Sequence, residues 1–194
     1  MWFTSLCLVP CALYDIGIIG WEASISRNTS EYVFPNTTSI LIKPDDLCES
    51  PTFLMVIVCS APYNFEARKA IRKSWGLERN ISDNAIRVYF LLGKPVLSSL
   101  QVDIDGESEE YKDIIQENFI DTYNNLTLKS LMLLKLVKNE CRNTVSFVMK
   151  TDDDMYVNLE MLVKTLLAKN ATHRILLGSL ICRAKPIRDI YDKW

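Results

Sequence analysis

The stretch F-V-M-K-T-D-D-D-M-Y-V-N, residues Phe147 to Asn158, joins a short apolar run to three consecutive carboxylates. The run is typical of a buried β-strand, and the acids follow where that strand is expected to end. Burying adjacent acids is costly unless a cation or hydrogen bonds compensate, and oxygen ligands favour Mg²⁺ or Mn²⁺. The triplet Asp152 to Asp154 is therefore a candidate metal site, although a solvated acidic turn is the commoner explanation of three acids taken alone.

Predicted strands and helices alternate around this stretch. Strands are predicted at Phe53–Cys59, Arg87–Gly93, Val145–Lys150 and Arg174–Gly178, and helices at Phe65–Trp75, around Glu109–Asn118, at Leu126–Asn139 and at Leu159–Lys169. Such alternation predicts an α/β fold, in which a mostly parallel sheet is covered by helices on both faces. Ligands of such sheets bind beyond the carboxyl ends of the strands, where both the turn from Ser60 to Asn64 and the acidic triplet are expected.

The composition favours a single globular domain and argues against nucleic-acid binding. The chain has 194 residues, a net charge of −2 and 48% hydrophobic residues, which is enough for one good core. It has no strongly basic stripe, so a polyanion is an improbable partner. With one histidine and no C-x-x-C pair among six cysteines, a structural zinc site is improbable too.

Sequons and cysteines suggest the secretory pathway. N-x-S/T sequons occur at Asn28, Asn36, Asn80, Asn125 and Asn170, and such sites accept glycans only in the secretory lumen. In that compartment Cys48, ahead of the first core strand, and Cys182, near the end, are candidates for a disulfide. Spacing alone leaves the connectivity open.

The chain before the first core strand divides into two parts. Residues 1–21 are mostly apolar and predict a signal peptide or a signal anchor, although Pro10 and Asp15 interrupt them. Residues 22–52 are rich in Ser, Thr, Asn, Pro and charge and predict a stem or linker. The folded domain is then expected over residues 53–194.

The first predicted helix carries two arginines on one face. Arg68 and Arg72 are four residues apart, and Trp75 lies seven residues after Arg68. Two guanidinium groups beside an acid-bound metal suit a diphosphate. The alternative is an ordinary solvated basic face, because Lys69 and Lys73 stand on the same helix.

Four blocks of this chain, in order, resemble the β1,3-galactosyltransferase and β1,3-N-acetylglucosaminyltransferase family. They are V-C-S-A-P-Y-N-F-E-A-R-K-A-I-R-K-S-W-G, V-Y-F-L-L-G, E-Y-K-D-I-I-Q-E-N-F-I-D-T-Y-N-N-L-T-L-K-S and F-V-M-K-T-D-D-D-M-Y-V-N, and the likeness runs from Phe53 to Trp194. The resemblance implies a GT-A fold, a Rossmann-like α/β sheet, and an enzyme that uses a UDP-sugar with Mn²⁺ and inverts the anomeric centre. It also implies a type II Golgi membrane protein with a lumenal catalytic domain.

The resemblance assigns roles to particular residues. Asp152 to Asp154 match the family's D-x-D-type motif, so Asp154 is expected to bind the metal directly. Asp152 and Asp153 are expected to orient ribose, phosphate or metal-bound water, and Asp152 is a second candidate metal ligand. Ser60, Ala61, Arg68 and Arg72 are expected to line the uridine and diphosphate pocket, and Lys150 to face phosphate. Lys129 and Asp121 are expected to be structural.

The resemblance also bounds the expected function. In the family, a K-W pair like Lys193-Trp194 precedes a segment with an acidic motif that supplies acceptor contacts and the general base. The chain is therefore expected to be the donor half of a hexosyltransferase that moves galactose or N-acetylglucosamine from UDP to a glycan in β1,3 linkage. Its own activity is expected to be impaired, with the base beyond Trp194.

Two other classes of protein compete with that interpretation. One is a non-catalytic paralogue that acts as a chaperone or partner of an active glycosyltransferase. The other is a phosphotransferase of the haloacid dehalogenase type, but this would need a threonine soon after the nucleophilic aspartate, where Met155 and Tyr156 stand. Donor sugar, acceptor and the glycosylated sequons are left open by the sequence.

Overall fold

The strands and helices follow the alternation expected of an α/β protein. The structure, a computed structural model, describes residues 28–169, 175–179, 181–183 and 185. The strands are Ile40–Ile42 (β1), Thr52–Cys59 (β2), Asn80–Ile81 (β3), Asn84–Lys94 (β4), Ile114–Ile120 (β5) and Val145–Asp152 (β6). The helices are Phe65–Arg72 (α1), Ser99–Tyr111 (α2), Leu126–Glu140 (α3) and Leu159–Lys169 (α4), with short 3-10 turns at Thr29–Glu31, Trp75–Leu77 and Tyr123–Asn125.

The strands form one mostly parallel sheet in the order β1-β5-β4-β2-β6, with β3 paired to β4. β2 runs parallel to β4 on one side and to β6 on the other, and β4 runs parallel to β5. β1 and β3 are short and antiparallel to their neighbours. The predicted mostly parallel sheet is therefore confirmed, and its parallel strands bring their carboxyl ends to one edge.

Helices cover both faces of the sheet because alternate residues of each strand point to opposite sides. On one face, Val56 of β2 and Phe90 of β4 pack with Trp75, Ile104 of α2 and Val163 of α4. On the other face, Ile57 and Leu91 pack with Leu133 and Leu136 of α3. After Thr52 the sequence of β2 is apolar, because both of its faces are buried.

The helix predicted around Glu109–Asn118 is wrong. The helix of this region, α2, ends at Tyr111, and Lys112 follows in the left-handed conformation with φ of 53°. The chain then forms β5, in which Ile114 and Ile115 enter the cores on opposite faces. Insertion between β4 and β1 supplies strand hydrogen bonds and two buried faces, and this outweighs the local helical pattern.

Two further element bounds differ from the prediction. The first helix ends at Arg72, and Trp75 belongs to a separate 3-10 turn with Gly76. A Cβ on Gly76 would lie 2.8 Å from the carbonyl oxygen of Ile71, so only glycine lets the chain pass this close to α1.

The strand predicted at Arg174–Gly178 is wrong over residues 175–178, which carry no strand and are exposed, while Arg174 lies outside the described residues.

Part of the predicted linker, 22–52, is attached to the folded domain. β1 pairs with β5, Leu47 and Cys48 are buried, and the Asn139 side chain donates to the carbonyl oxygen of Pro35. Cys48 forms a disulfide with Cys141, with Cα atoms 5.1 Å apart. The candidate pairing of Cys48 with Cys182, which the sequence left open, is therefore not the one formed, and Cys182 is a free, exposed cysteine.

Within the described ranges, no helix has both the length and the apolar character needed to cross a membrane. The predicted signal segment, residues 1–21, lies outside those ranges.

Candidate functional site

The acidic triplet lies beside the loop that follows β2. β6 ends at Asp152, and Asp153 and Asp154 form the turn after it. Cys59, the last residue of β2, is directly opposite Asp152 in the parallel pair, so Ser60 is next to the turn. The two predicted loops therefore meet at the carboxyl edge of the sheet, where open α/β sheets bind their ligands.

Asp153 is held by the loop after β2. Its Oδ2 atom accepts hydrogen bonds from the Ser60 hydroxyl at 2.7 Å and from Asn64 Nδ2 at 2.8 Å. Asn64 occupies the N-cap position of α1, but its side chain makes no capping hydrogen bond. Its amide binds Asp153 instead, so this aspartate is tied to the protein.

Asp152 and Asp154 remain available to a ligand. Both are exposed, and the Asp152 side chain is 60% exposed with Lys150 Nζ at 3.4 Å from its Oδ1. An exposed pair of this kind contributes little stability, so a ligand can replace it at low cost. Lys150, whose side chain is 41% exposed, is the predicted phosphate-facing cation and lies beside the acids.

Arg68 is completely buried and uses every one of its donors within the protein. Nε and Nη2 bind the Glu107 carboxylate, with the shortest contact at 2.6 Å. Nη1 donates to the Ser60 hydroxyl at 3.0 Å and to the Ala61 carbonyl oxygen at 2.7 Å, and Nη2 also donates to the Pro62 carbonyl oxygen. An arginine has five N–H groups, and all five are taken, so none is left for a phosphate in this arrangement.

Arg72 also pairs with carboxylates of the chain. It forms a two-pronged contact with Asp113 at 2.8 Å and binds Glu107 at 2.7 Å. Its guanidinium lies 4.7 Å from the centre of the Phe90 ring and 4.0 Å from that of Tyr111. Burial lowers the pKa of Arg72, but the hydrogen bonds to Asp113 and Glu107 outweigh it and raise that pKa. Arg72 is thus enclosed by these side chains rather than standing free beside the acids.

Glu107 completes this buried charge cluster. Burial raises its pKa, but the hydrogen bonds and charges of Arg68 and Arg72 outweigh it, so the pKa of Glu107 lies below its ordinary value. Glu107 and Asp113 were not predicted from the sequence, because their contacts with Arg68 and Arg72 join residues 39 and 41 positions apart and no local pattern marks them.

Trp75 anchors the other side of the acidic turn. Its indole N–H donates to the carbonyl oxygen of Met155 at 3.1 Å, and the ring is packed in the core with only 7% exposure. The chain around Asp154 is thereby held on both sides, at Asp153 by the Ser60 loop and at Met155 by Trp75.

A second buried ion pair supports the floor of the site. Lys129 is buried, and its Nζ binds both oxygens of Asp121 and the carbonyl oxygen of Ser60 at 2.7 Å. Asp121 also accepts a hydrogen bond from the backbone N–H of Gly93. These contacts fit the structural role expected of Lys129 and Asp121, because they join the ends of β2, β4 and β5 to α3.

The cavity of about 480 Å³ beside Tyr89 does not border the acidic turn. Its lining includes the cations Arg79 and Arg87 and the acid Asp113. The acidic turn is identified instead by its side chains, of which those of Asp152 and Asp154 are exposed.

The chain is similar to curated glycosyltransferases. The family described as galactosyltransferase matches residues 66–194. Human beta-1,3-galactosyltransferase 5 is 38% identical over 164 residues, which cover 84% of this chain and 53% of that protein. Mouse beta-1,3-galactosyltransferase 5 is 41% identical over 152 residues, covering 78% of this chain and 49% of that protein.

Mouse beta-1,3-galactosyltransferase 1 extends the likeness to 96% of this chain and 66% of its own length, at 38% identity over 221 residues. The chain thus spans about half the length of the type 5 relatives it matches. The mostly parallel sheet covered by helices on both faces is consistent with the GT-A-like fold expected from the sequence. Fold and similarity agree, and the chain belongs to the galactosyltransferase family.

Proposed function

We propose that this protein is a hexosyltransferase that transfers galactose or N-acetylglucosamine from a UDP-sugar to a glycan in β1,3 linkage. The acceptor glycan is carried by a glycoprotein or a glycolipid. The observation that supports this most is the acidic turn at the end of β6, where Asp152 and Asp154 are exposed beside the Ser60 loop. The similar proteins from human and mouse are named beta-1,3-galactosyltransferases, which points to the same reaction.

Mn²⁺ suits the oxygen atoms that this turn offers. Among the described residues, no group of three or more Asp, Glu, His or Cys side chains is arranged to hold an ion alone. Two carboxylates, from Asp152 and Asp154, fit an ion that takes its other ligands from a diphosphate and water, as Mg²⁺ does at nucleotide sites. The bound ion would neutralise the charge that builds on the departing UDP.

The residues around the turn supply the other donor contacts in this proposal. Lys150 exchanges its weak contact with Asp152 for a phosphate oxygen. The Ser60–Ala61 loop borders the uridine through its backbone, because the Ser60 hydroxyl is already shared between Arg68 and Asp153.

We place the protein in the Golgi membrane, in type II orientation with the sugar-transferring domain in the lumen. The disulfide between Cys48 and Cys141 supports an oxidising compartment. The sequons at Asn36 and Asn80 also support it, because both asparagines are exposed and accessible to a glycan. Sensitivity of the cell-derived protein to N-glycosidase tests this placement, and an unchanged mobility after digestion would argue against it.

Calorimetric titration of the 194-residue chain with UDP tests the proposed donor site. We expect heat of binding with Mn²⁺ and much less heat without it. Asp154→Asn and Asp152→Asn should each weaken the Mn²⁺-dependent binding at least tenfold, since each removes a charged ligand. Asp103→Asn is the matched control, because Asp103 is exposed on α2 away from the turn.

Absence of UDP binding by the wild-type chain, with and without Mn²⁺, would overturn the donor site. Such a result would favour a non-catalytic paralogue that assists an active glycosyltransferase. If UDP binds, titration with UDP-galactose and UDP-N-acetylglucosamine then identifies the preferred donor.

A further inference from the structure

The hydroxyl of Ser60 connects the buried charge cluster to the acidic turn. It accepts a hydrogen bond from Arg68 Nη1 at 3.0 Å and lies 2.7 Å from Asp153 Oδ2. A guanidinium can only donate hydrogen bonds, so the Ser60 hydroxyl oxygen is the acceptor in its contact with Arg68. The single proton of the Ser60 hydroxyl is therefore free to be donated to another group. The Asp153 carboxylate is a closer acceptor than the Ala61 carbonyl oxygen at 3.4 Å, and it is charged.

Arg68 therefore determines the direction of the Ser60 O–H bond. Glu107 in turn fixes the orientation of Arg68, because its carboxylate accepts hydrogen bonds from both Nε and Nη2 of the guanidinium. The carboxylate also neutralises the charge of Arg68. Because the pair is neutral and buried, it adds little attraction for a distant phosphate. The Arg68–Glu107 pair therefore affects the acidic turn through the hydrogen bonds from Arg68 to Ser60 and from Ser60 to Asp153.

Segment 60–75 contacts the acidic turn at two points. The Asp153 carboxylate accepts hydrogen bonds from the Ser60 and Asn64 side chains. The Met155 carbonyl oxygen accepts one from the indole N–H of Trp75. Asp154 lies between these two fixed points and is itself exposed. Its carboxylate is presented outward because its neighbours on both sides are tied inward.

We propose that Arg68 is a positioning residue that orients Asp153 through the Ser60 hydroxyl and so fixes the turn that presents Asp154. This role rests on the proposed function only for the identity of the ligand, Mn²⁺ with UDP. It replaces the direct diphosphate contact expected for Arg68 from the sequence, because the five N–H groups are already used.

A double-mutant cycle on Ser60 and Arg68 separates positioning from direct ligand contact. The variants are Ser60→Ala, Arg68→Lys and the double variant of the full chain. Mn²⁺ affinity is measured by calorimetry at saturating UDP. We expect each single variant to weaken Mn²⁺ binding about tenfold, the usual effect of losing a group that orients a metal ligand, and the double variant to be no weaker than Arg68→Lys.

Ser130→Ala is the matched control, since its hydroxyl donates only to the Leu126 carbonyl oxygen within α3. It should leave Mn²⁺ affinity unchanged. If Ser60→Ala binds Mn²⁺ like the wild type while Arg68→Lys does not, Arg68 does not act through Ser60 and the proposal is overturned. Additive losses in the double variant would overturn it equally.

Amide hydrogen exchange over residues 151–157 provides a second readout that needs no ligand. Ser60→Ala should speed exchange in this peptide several-fold, and Ser130→Ala should not. If Arg68→Lys does not fold, Ser60→Ala alone decides the outcome, and unchanged exchange would refute the positioning role. If the wild type binds no Mn²⁺ but exchange responds as expected, the proposed function fails while the positioning role stands.

Discussion

Lys129 and Asp121 form a buried ion pair, with Nζ 2.7 Å from Oδ2, directly beneath the backbone of Ser60. Replacing only the lysine leaves a buried carboxylate without its cation, which commonly costs about 3 to 5 kcal/mol. We therefore expect Lys129→Met to lower the free energy of unfolding by about that amount in urea denaturation. Lys164→Met is the control, because the exposed pair of Lys164 with Glu160 should contribute at most about 1 kcal/mol. Equal effects of the two variants would contradict this account.

Gly93 and Gly106 should respond in opposite directions to the same substitution. A Cβ on Gly93 would lie 2.7 Å from the carbonyl oxygen of Phe119, and a backbone atom cannot easily move aside. Gly93→Ala should therefore destabilise the protein by about 1 to 3 kcal/mol. Gly106 lies within α2 with no atom within 4 Å of its added Cβ, so Gly106→Ala should stabilise by about 0.5 to 1 kcal/mol. Thermal unfolding midpoints check both signs, and a stabilising Gly93→Ala would refute the close approach.

The disulfide between Cys48 and Cys141 closes a long loop with a sequence separation of 93. The double variant Cys48→Ser with Cys141→Ser should lose about 2 to 5 kcal/mol of stability, because the unfolded chain regains the freedom that this link removes. Cys182→Ser should change little, since that cysteine is free and exposed. Peptide mapping without reductant identifies the linked pair directly, and a linked Cys48–Cys182 peptide would disprove the pairing.

Glu117 should make the stability depend on pH. Burial raises its pKa, and the hydrogen bond from Ser39 and the charge of Lys135 only partly oppose this. Because folding raises the pKa of Glu117, its contribution to stability is fully present below its unfolded pKa, about 4.3. That contribution is lost as the pH rises through the pKa of Glu117 in the folded protein. Glu117→Gln removes the ionisation, so it should gain stability relative to wild type between pH 5 and pH 8, roughly the range above that unfolded pKa.

Urea midpoints at several pH values test this prediction for Glu117→Gln. Its difference from wild type should be small near pH 4, about the unfolded pKa, and should grow toward neutral pH. A difference that is the same at all pH values would exclude ionisation as its cause.

Much of the fold could be predicted because local patterns decided it. α4 has the predicted bounds, Leu159–Lys169, and β2 and β6 extend the predicted strands by one residue or two. The apolar run of β2 matches the two buried faces of a central strand, and α4 has the apolar face of an amphipathic helix. β6 lies at the end of the sheet order instead, and alternate residues of it are exposed. The region of Ile114 and Ile115 was misassigned because two adjacent isoleucines suit a helix and a strand equally. Pairing with distant β4 and β1 decided between them.

The candidate site was predicted less completely than the fold. The position of Asp152 to Asp154 at the end of a strand followed from the pattern of residues, but the prediction that this strand is buried is wrong, because alternate residues of β6 are exposed. The partners of Asp153 did not, because its hydrogen bond from Ser60 joins residues 93 positions apart. The basic face of α1 predicted that Arg68 and Arg72 bind an anionic group. It did not indicate whether that group belongs to a ligand or is a carboxylate of the chain itself. Glu107, which decides this for Arg68, lies in a helix that the sequence analysis did not locate.

The strand order sets the distance between β1, where the chain enters the sheet, and the acidic turn that follows β6. β1 lies at one end of the order and β6 at the other, with β5, β4 and β2 between them. Four interstrand spacings of about 4.8 Å each put roughly 19 Å of sheet between them. A fluorophore, a solid support or a fused protein joined ahead of β1 would therefore reach the sheet at the edge remote from Asp152. The chain can be immobilised or labelled at that edge while the acidic turn stays open to the solution.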